Sequence, residues 1–306
     1  MTSYDWNSPP LPPFVRRTDG RLHGEIDLDE LARTLRDAPI RGEVRTRIVG
    51  PHDLHIFEQR RRQRIVRSAA AIPADYFVFA SGEAPHRAMT KLGGVPFLPA
   101  SMPWPRRSGT VGDFYAQLSF VDSKDLLPSL PGDVLLVFRF HDLPDVTSWD
   151  EELYGFVWVD SAERRLIDPA DVQQSVQEAK NCADGDTWAT MHGYRVRTFD
   201  DPSQLELLHA TRIDDVNLLT GEATKVGGAP NDCQSIPTVP ADYRFLGQLT
   251  SVWPTVGVPF PVVDREAPLG PHDFAERERL CSGPGCGITC LYLDGNGQVR
   301  VFFSDS

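Results

Sequence analysis

Residues 90–96 read TKLGGVP, and residues 224–230 repeat this pattern as TKVGGAP. Each copy is followed by a second shared block, FYAQLS at residues 114–119 and FLGQLT at residues 245–250. Chance similarity rarely keeps two motifs in the same order, and the period of about 130 residues is far longer than a solenoid repeat. The sequence therefore predicts a duplicated half-domain.

Short runs of aromatic and β-branched residues dominate the chain after residue 74, and Gly, Pro and Asp bound them, which is typical of strands. The predicted strands are Tyr76–Phe79, Phe114–Phe120, Val134–Phe140, Leu153–Val159, Tyr194–Phe199 and Tyr243–Val252. A DGNG turn joins Ile288–Leu293 to Val299–Phe303 in a predicted C-terminal hairpin. Few of these strands precede a helix of useful length, so antiparallel pairing is favoured over parallel βαβ units.

Helices are predicted mainly near the N-terminus. Asp27 and Glu30 have the spacing of a capping box at the start of one helix. A second helix, rich in arginine, is predicted over about residues 53–70, and a third over about residues 169–179.

These elements predict an α+β fold with predominantly antiparallel β-sheets from two pseudo-symmetric repeats and with N-terminal helices. Residues 1–74 form a proline-rich arm plus a helical N-terminal extension in this interpretation, and residues 75–306 form the duplicated domain. We place repeat one at about residues 75–200 and repeat two at about residues 201–306.

The charge of the chain is negative and unevenly distributed. The 306 residues have a formal net charge of −12. Residues 1–72 hold 13 arginines and 10 acidic residues, whereas the rest of the chain holds 18 basic and 33 acidic residues. An acidic body argues against general nucleic-acid binding and suits a basic protein partner, which long-range attraction would steer. Acidity that serves only solubility is the alternative, and the charge taken by itself favours it.

Three features predict a cytoplasmic protein that does not bind membranes. The longest apolar runs, such as Val134–Phe138, have the length of strands and are too short to cross a bilayer. Residues 1–13 lack the basic and apolar regions of a signal peptide. The five cysteines are an odd number, which fits a reducing compartment better than a disulfide scaffold.

The repeated Lys-x-Gly-Gly-x-Pro segment allows two interpretations. Adjacent glycines permit positive φ angles, so the segment is favoured as a structural turn that starts each repeat. Backbone N–H groups in such a turn, together with a lysine, can also bind an anion. The candidate ligand contacts in the two segments are Lys91, Gly93, Gly94, Lys225, Gly227 and Gly228.

The two glutamines of the second motif are further candidates. Strand alternation predicts Phe114 and Ala116 on one face and Gln117 on the other. A primary amide can hold a neighbouring loop by its backbone, which is the favoured role. If a pseudo-twofold axis relates the repeats, Gln117 and Gln248 face one cleft with the two lysines, and this cleft is a candidate ligand site.

A cysteine cluster near the C-terminus allows a structural zinc site. Its candidate ligands are Cys281, Cys286 and Cys290, with Cys233 as a fourth. Zinc prefers four N or S ligands in paired knuckles, and only the first two cysteines have a similar spacing. Cys290 lies in a predicted strand, where a core role is the alternative. Elsewhere the sequence assembles no catalytic set and implies no other cofactor.

Several segments together have the pattern of a known family. They are KLGGVPFLP at residues 91–99, MPWP at 102–105, FYAQLSF at 114–120, LPGDVLLVF at 130–138, and the second-half segments 225–230, 245–249 and 285–303. These segments resemble the YwqG-like bacterial proteins of unknown function, over roughly residues 75–306.

The resemblance implies a duplicated α+β fold and no established enzymatic activity. Some members of that family are encoded near polymorphic toxins, which implies an immunity-like role. We therefore expect a non-catalytic protein-interaction module with a basic protein partner. The alternatives are a small-molecule-binding protein or enzyme that uses the cleft between the repeats, and a zinc-stabilised scaffold.

Overall fold

A computed structural model describes residues 15–27, 30, 71–81, 83–140, 151–172, 190–200, 224–230, 239–250 and 288–304. The strands are β1 Val15–Arg16, β2 Glu25–Ile26, β3 Ile72–Ser81, β4 Lys91–Leu92, β5 Arg106–Arg107, β6 Thr110–Val111, β7 Asp113–Ser119, β8 Val134–Arg139, β9 Tyr154–Val159, β10 Met191–Asp200, β11 Lys225–Gly227, β12 Arg244–Thr250, β13 Ile288–Leu293 and β14 Val299–Ser304. Short 3₁₀ turns occupy Val121–Ser123 and Glu151–Leu153.

The centre of the fold is the long antiparallel pair β3 and β10, which stay in register from Ile72 opposite Asp200 to Ser81 opposite Met191. On the β3 side the sheet continues through β11, β12, β13 and β14. On the β10 side it continues through β4, β7, β8 and β9. All of these neighbours pair antiparallel, so the predicted antiparallel β architecture is confirmed.

The two ends of the sheet approach each other, so the sheet is barrel-like and nearly closed. The ring of Tyr154 on β9 lies 5.7 Å from the ring of Phe303 on β14. Next to this contact, Arg300 Nη1 lies 3.2 Å from a carboxylate oxygen of Glu151. Aromatic and aliphatic side chains of both end strands are buried in one cluster. This burial accounts for the curvature of the sheet, because exposed sheet edges and exposed apolar surface are unfavourable.

The sequence located the long strands well. Each predicted strand overlaps an observed one, and the C-terminal hairpin has the predicted turn, with Gly297 at a φ of +77°. Of the third predicted helix, residues 169–172 are helical, and the remainder lies outside the described residues. The N-terminal helices also lie outside them, although Asp27 Oδ1 accepts the N–H of Glu30 at 3.2 Å, as the capping box predicts.

One predicted face is wrong because of a β-bulge. The register between β7 and β8 shifts between Phe114 and Ala116. Phe114 consequently packs in a different cluster from Ala116 and Leu118, whereas Tyr115 packs with these two residues. A bulge inserts one extra residue and reverses the alternation beyond it, which a strict period of two cannot predict.

Residues 15–27 are attached to the sheet. β1 pairs with β2, and β2 runs parallel to β10 with Glu25 opposite Arg195. Leu22 is buried in the cluster that contains Phe97 and Val159. Among the described residues, no helix has the length and apolar character needed to cross a bilayer.

Candidate functional site

The first Lys-Gly-Gly segment is an internal ion pair followed by a turn. Lys91 lies on β4 between β7 and β10, and its side chain is fully buried. Its ammonium group donates to Glu83 Oε1 at 2.8 Å and also to the carbonyl of Val95. Burial lowers the pKa of Lys91, and the Glu83 carboxylate opposes this shift. Glu83 follows the end of β3, and its side chain is 42 % exposed.

The second Lys-Gly-Gly segment repeats this arrangement, but both partners of its ion pair are buried. Lys225 Nζ donates to Asp200 Oδ2 at 2.7 Å and lies 3.4 Å from the hydroxyl of Tyr76, which donates to the other oxygen of Asp200. Asp200 ends β10, and its side chain is 2 % exposed. Burial lowers the pKa of Lys225 and raises that of Tyr76, while the charge of Asp200 raises both.

Each carboxylate also binds the turn that follows its lysine. Glu83 Oε2 accepts the N–H of Val95 at 3.1 Å, and Asp200 Oδ2 accepts the N–H of Ala229 at 2.8 Å. Both amides stand four residues after the lysine of their segment. In both copies, a carboxylate of the protein itself therefore holds the turn by a backbone N–H group.

The second glycine of each segment makes room for that carboxylate. Gly94 and Gly228 both have a φ of +74°, which favours glycine. A Cβ atom on Gly94 would lie 2.3 Å from Glu83 Oε2, and one on Gly228 would lie 2.0 Å from Asp200 Oδ2. These distances account for the glycine at this position in both copies.

The side-chain amide of Gln117 binds the backbone of a neighbouring loop, which is the role that the sequence favours. Its side-chain oxygen accepts the N–H of Phe97 at 2.8 Å. Its amide nitrogen donates to the carbonyls of Arg87 and Met89 at 2.8 and 2.7 Å. All three polar positions of the amide are thus bonded to the loop that surrounds the first Lys-Gly-Gly segment. Gln248 is equally buried.

The structure brings the four lysine and glutamine residues together as two pairs. Lys91 lies opposite Gln117, and Lys225 lies opposite Gln248. The strands β3 and β10 separate the two pairs in the sheet. The four side chains therefore do not form one cluster, and their role in ligand binding stays a prediction.

The zinc hypothesis concerns mostly residues outside the described part of the chain. Cys233, Cys281 and Cys286 lie there. Cys290 is a buried residue on β13, opposite Gln248. Within the described ranges no group of three or more His, Cys, Asp or Glu side chains is placed to hold a metal ion.

One buried contact, between residues about a third of the chain apart in sequence, was not predicted from the sequence. Asp122 accepts the backbone N–H groups of Leu22 and His23 and, at 2.9 Å, a bond from His23 Nδ1. His23 Nε2 accepts the N–H of Thr90 at 2.9 Å, which places the ring proton on Nδ1. Burial acts to raise the pKa of Asp122, but these bonds outweigh it and lower the pKa.

A second buried network lies next to this contact. Asp75 accepts bonds from Ser123 Oγ at 2.6 Å and from Arg197 Nη2 at 2.9 Å, with Arg195 Nη1 at 3.4 Å. Arg197 also reaches Asp125 at 2.6 Å. Burial raises the pKa of Asp75, and Arg197 opposes the shift. The sequence held one indication of this network. Arg195 and Arg197 stand at alternate positions of one predicted strand, and Asp75 stands next to another.

The chain belongs to the family described as Domain of unknown function (DUF1963), whose match covers residues 90–251, more than half of the chain. That range includes both Lys-Gly-Gly segments and both glutamines. A search of curated proteins found no match.

Proposed function

We propose that this protein is a non-catalytic protein-interaction module. The observation that carries the proposal is the burial of Lys91, Gln117 and Lys225, whose polar groups are bonded within the protein. The repeated motifs therefore build the sheet, and their reactive groups are engaged in holding loops. Recognition then falls to the surface that this sheet supports.

We further infer that the described body consists of two copies of one unit, as in the YwqG-like proteins that the sequence resembles. Lys91 opposite Gln117 has its counterpart in Lys225 opposite Gln248. Each glutamine-bearing strand also has a register shift just before the glutamine, at Phe114/Ala116 and at Phe245/Gly247. A duplicated unit explains both coincidences and supports a rigid platform.

The partner that we propose is a basic protein, in the manner of an immunity protein that neutralises a toxin. The net charge of −12 supports this proposal, because an acidic protein attracts a basic partner over several ångströms before contact. Surface electrostatic attraction weakens as salt screens it.

Native mass spectrometry of the full chain, purified gently from its own host, tests the proposal. We expect a bound protein of basic composition, whose occupancy falls as ammonium acetate is raised from about 0.1 M to about 1 M. An unrelated acidic protein of similar net charge, taken through the same purification, is the control for nonspecific capture. A small-molecule adduct without a bound protein would overturn the proposal in favour of the cleft, and a zinc mass alone would favour the scaffold.

A further inference from the structure

The N-terminal segment, residues 21–26, is attached to the body of the protein by a short ladder and by side-chain contacts. Within the described residues, β2 meets β10 at one position, with Glu25 opposite Arg195. There the carbonyl of Gly24 accepts the N–H of Arg195 at 2.9 Å, and the Glu25 carboxylate forms an ion pair with the Arg195 guanidinium. Because so short a ladder contributes little by itself, the neighbouring contacts of Leu22 and His23 carry much of the attachment.

Both ring nitrogens of His23 form hydrogen bonds. The side chain is fully buried. Its Nδ1 donates to Asp122 Oδ2 at 2.9 Å, and its Nε2 accepts the N–H of Thr90 at 2.9 Å. A ring nitrogen accepts a hydrogen bond only while it carries no proton. The contact between the N-terminal segment and Thr90 therefore requires a neutral ring.

A second proton on the ring would break this contact. It would sit on Nε2 and face the N–H of Thr90, so that two donors would oppose each other inside the protein. Thr90 is fixed in its place, because its Oγ1 accepts the N–H of Ser119 at 3.1 Å and its carbonyl accepts the N–H of Gly193 at 2.9 Å. A buried N–H group without an acceptor is unfavourable, so the histidine has to move away from Thr90.

The histidine has little room to move by itself. Its ring lies 5.1 Å from the ring of Phe77. The next residue, Gly24, is packed so closely that a Cβ atom there would lie 2.6 Å from Val15 Cγ1 and 3.3 Å from Tyr194 Cδ1. Displacement of His23 therefore displaces the segment, including the carbonyl of Gly24 that binds Arg195.

The charges around the ring allow the second proton to bind. The Asp122 carboxylate favours the charged ring, whereas burial and the guanidinium groups that reach the carbonyl of Asp122 oppose it. Burial, and to a smaller extent nearby cationic groups, lower the pKa of the neighbouring His86 to about 4, so His86 stays neutral above about pH 5. The titratable and charged groups around His23 are Arg21 and Glu25 on its own segment, Asp75 on β3, His86 before β4, Asp122 and Asp125 after β7, and Arg195 and Arg197 on β10.

We propose that His23 is a pH-sensitive switch, which holds the N-terminal segment on the body while its ring is neutral and releases the segment when the ring takes a second proton. The bond to Thr90 exists only with the neutral ring, so the attachment is present at higher pH and is lost as the pH falls through the range in which imidazoles titrate. The proposal goes beyond the role as a protein-interaction module and does not depend on it.

NMR of the full chain, labelled with ¹⁵N and titrated from about pH 8 to about pH 5, tests the switch. At the higher pH we expect the His23 ring to be the tautomer with its proton on Nδ1. As the ring takes its second proton, the hydrogen-exchange protection factors of the Thr90 and Arg195 amides should fall at least tenfold with the same midpoint. The Phe140 and Gly228 amides, which bind the carbonyls of Leu153 and Pro73, should keep their protection and so exclude global unfolding.

A pair of variants identifies the responsible histidine. His23→Gln should abolish the pH step in the protection of Arg195. His192→Gln should keep it, although His192 is also buried, because its Nε2 faces the hydroxyl of Tyr194, which can turn to accept a proton.

Four results in the parent protein would overturn the proposal. They are a His23 ring that carries its proton on Nε2 at about pH 8, a ring that stays neutral down to about pH 5, a doubly protonated ring with unchanged protection of Thr90 or Arg195, and an equal loss of protection at Phe140 and Gly228.

Discussion

Replacing Gly228 by alanine should destabilise the protein strongly, because one added carbon would disturb a buried ion pair. The new Cβ would lie 2.0 Å from Asp200 Oδ2 and 2.8 Å from the Cβ of Ala74. The Asp200 carboxylate cannot move into water at this place, since its side chain is 2 % exposed. It would have to leave Lys225, whose side chain is fully buried.

Two costs determine the expected magnitude. A left-handed φ of +74° costs a residue with a Cβ about 1–2 kcal/mol. Separating a buried ion pair costs about 3–5 kcal/mol, because an unpaired charge remains inside the protein. The free energy of unfolding should therefore fall by about 4–7 kcal/mol, which is a large part of the stability of an ordinary domain.

Alanine substitutions at two further glycines distinguish the cost of the left-handed φ angle from the cost of separating the ion pair. Gly297 has a φ of +77° and nothing within 4 Å of an added Cβ, so Gly297→Ala should lose only about 1–2 kcal/mol. Gly94→Ala should fall between the two, at about 2–4 kcal/mol, because Glu83 is 42 % exposed and can turn towards water.

Equilibrium unfolding in urea, with the midpoint and slope measured for all three variants, tests this order. Lys225→Met should also cost less in the Gly228→Ala background than in the parent protein, since the ion pair is already broken there. If Gly228→Ala loses no more stability than Gly297→Ala, the carboxylate does not need the space at this glycine, and the reasoning is refuted.

Two more perturbations test the other buried contacts. Gln117→Met should lower the free energy of unfolding by about 2–5 kcal/mol, because it leaves two buried backbone groups and one partly buried backbone group without their partner. Gln298 is exposed, so Gln298→Met should change the free energy of unfolding little in the same urea titration. The folded-state pKa of Asp122 is lowered, so its stabilisation is present above about pH 4 and is lost as the pH falls through the folded-state value. Asp122→Asn should therefore be less stable at pH 7 and should lose less stability on acidification, and an unchanged acid dependence would contradict the role assigned to the His23 contact.

The long strands could be predicted from the sequence because each buries side chains in a regular pattern. In the strand Val134–Arg139, residues Val134–Phe138 are an uninterrupted apolar run that is buried on both faces, and the sequence located the strand to within one residue. The repeat also pointed to residues that matter for the fold. The amide of Gln117, for which holding a loop was the favoured role, makes three such bonds.

The partners of the repeated lysines could not be predicted, because they lie far away along the chain or in less regular segments. Asp200 precedes Lys225 by 25 residues and meets it only through the pairing of β11 with β3 beside β10. The contact between His23 and Asp122 joins residues 99 apart. Local patterns give no register for such pairs, which depend on strand order.

The difference between the two lysine sites bears on where recognition takes place. Asp200 and Lys225 are both enclosed, so this pair can change only when the sheet itself is disturbed. Lys91 is equally enclosed, but its partner Glu83 is 42 % exposed, so only this carboxylate connects a repeated lysine with the surface. A partner that drew Glu83 away would leave Lys91 with the carbonyl of Val95 and would weaken the turn at Gly94. Binding at that carboxylate would therefore oppose folding.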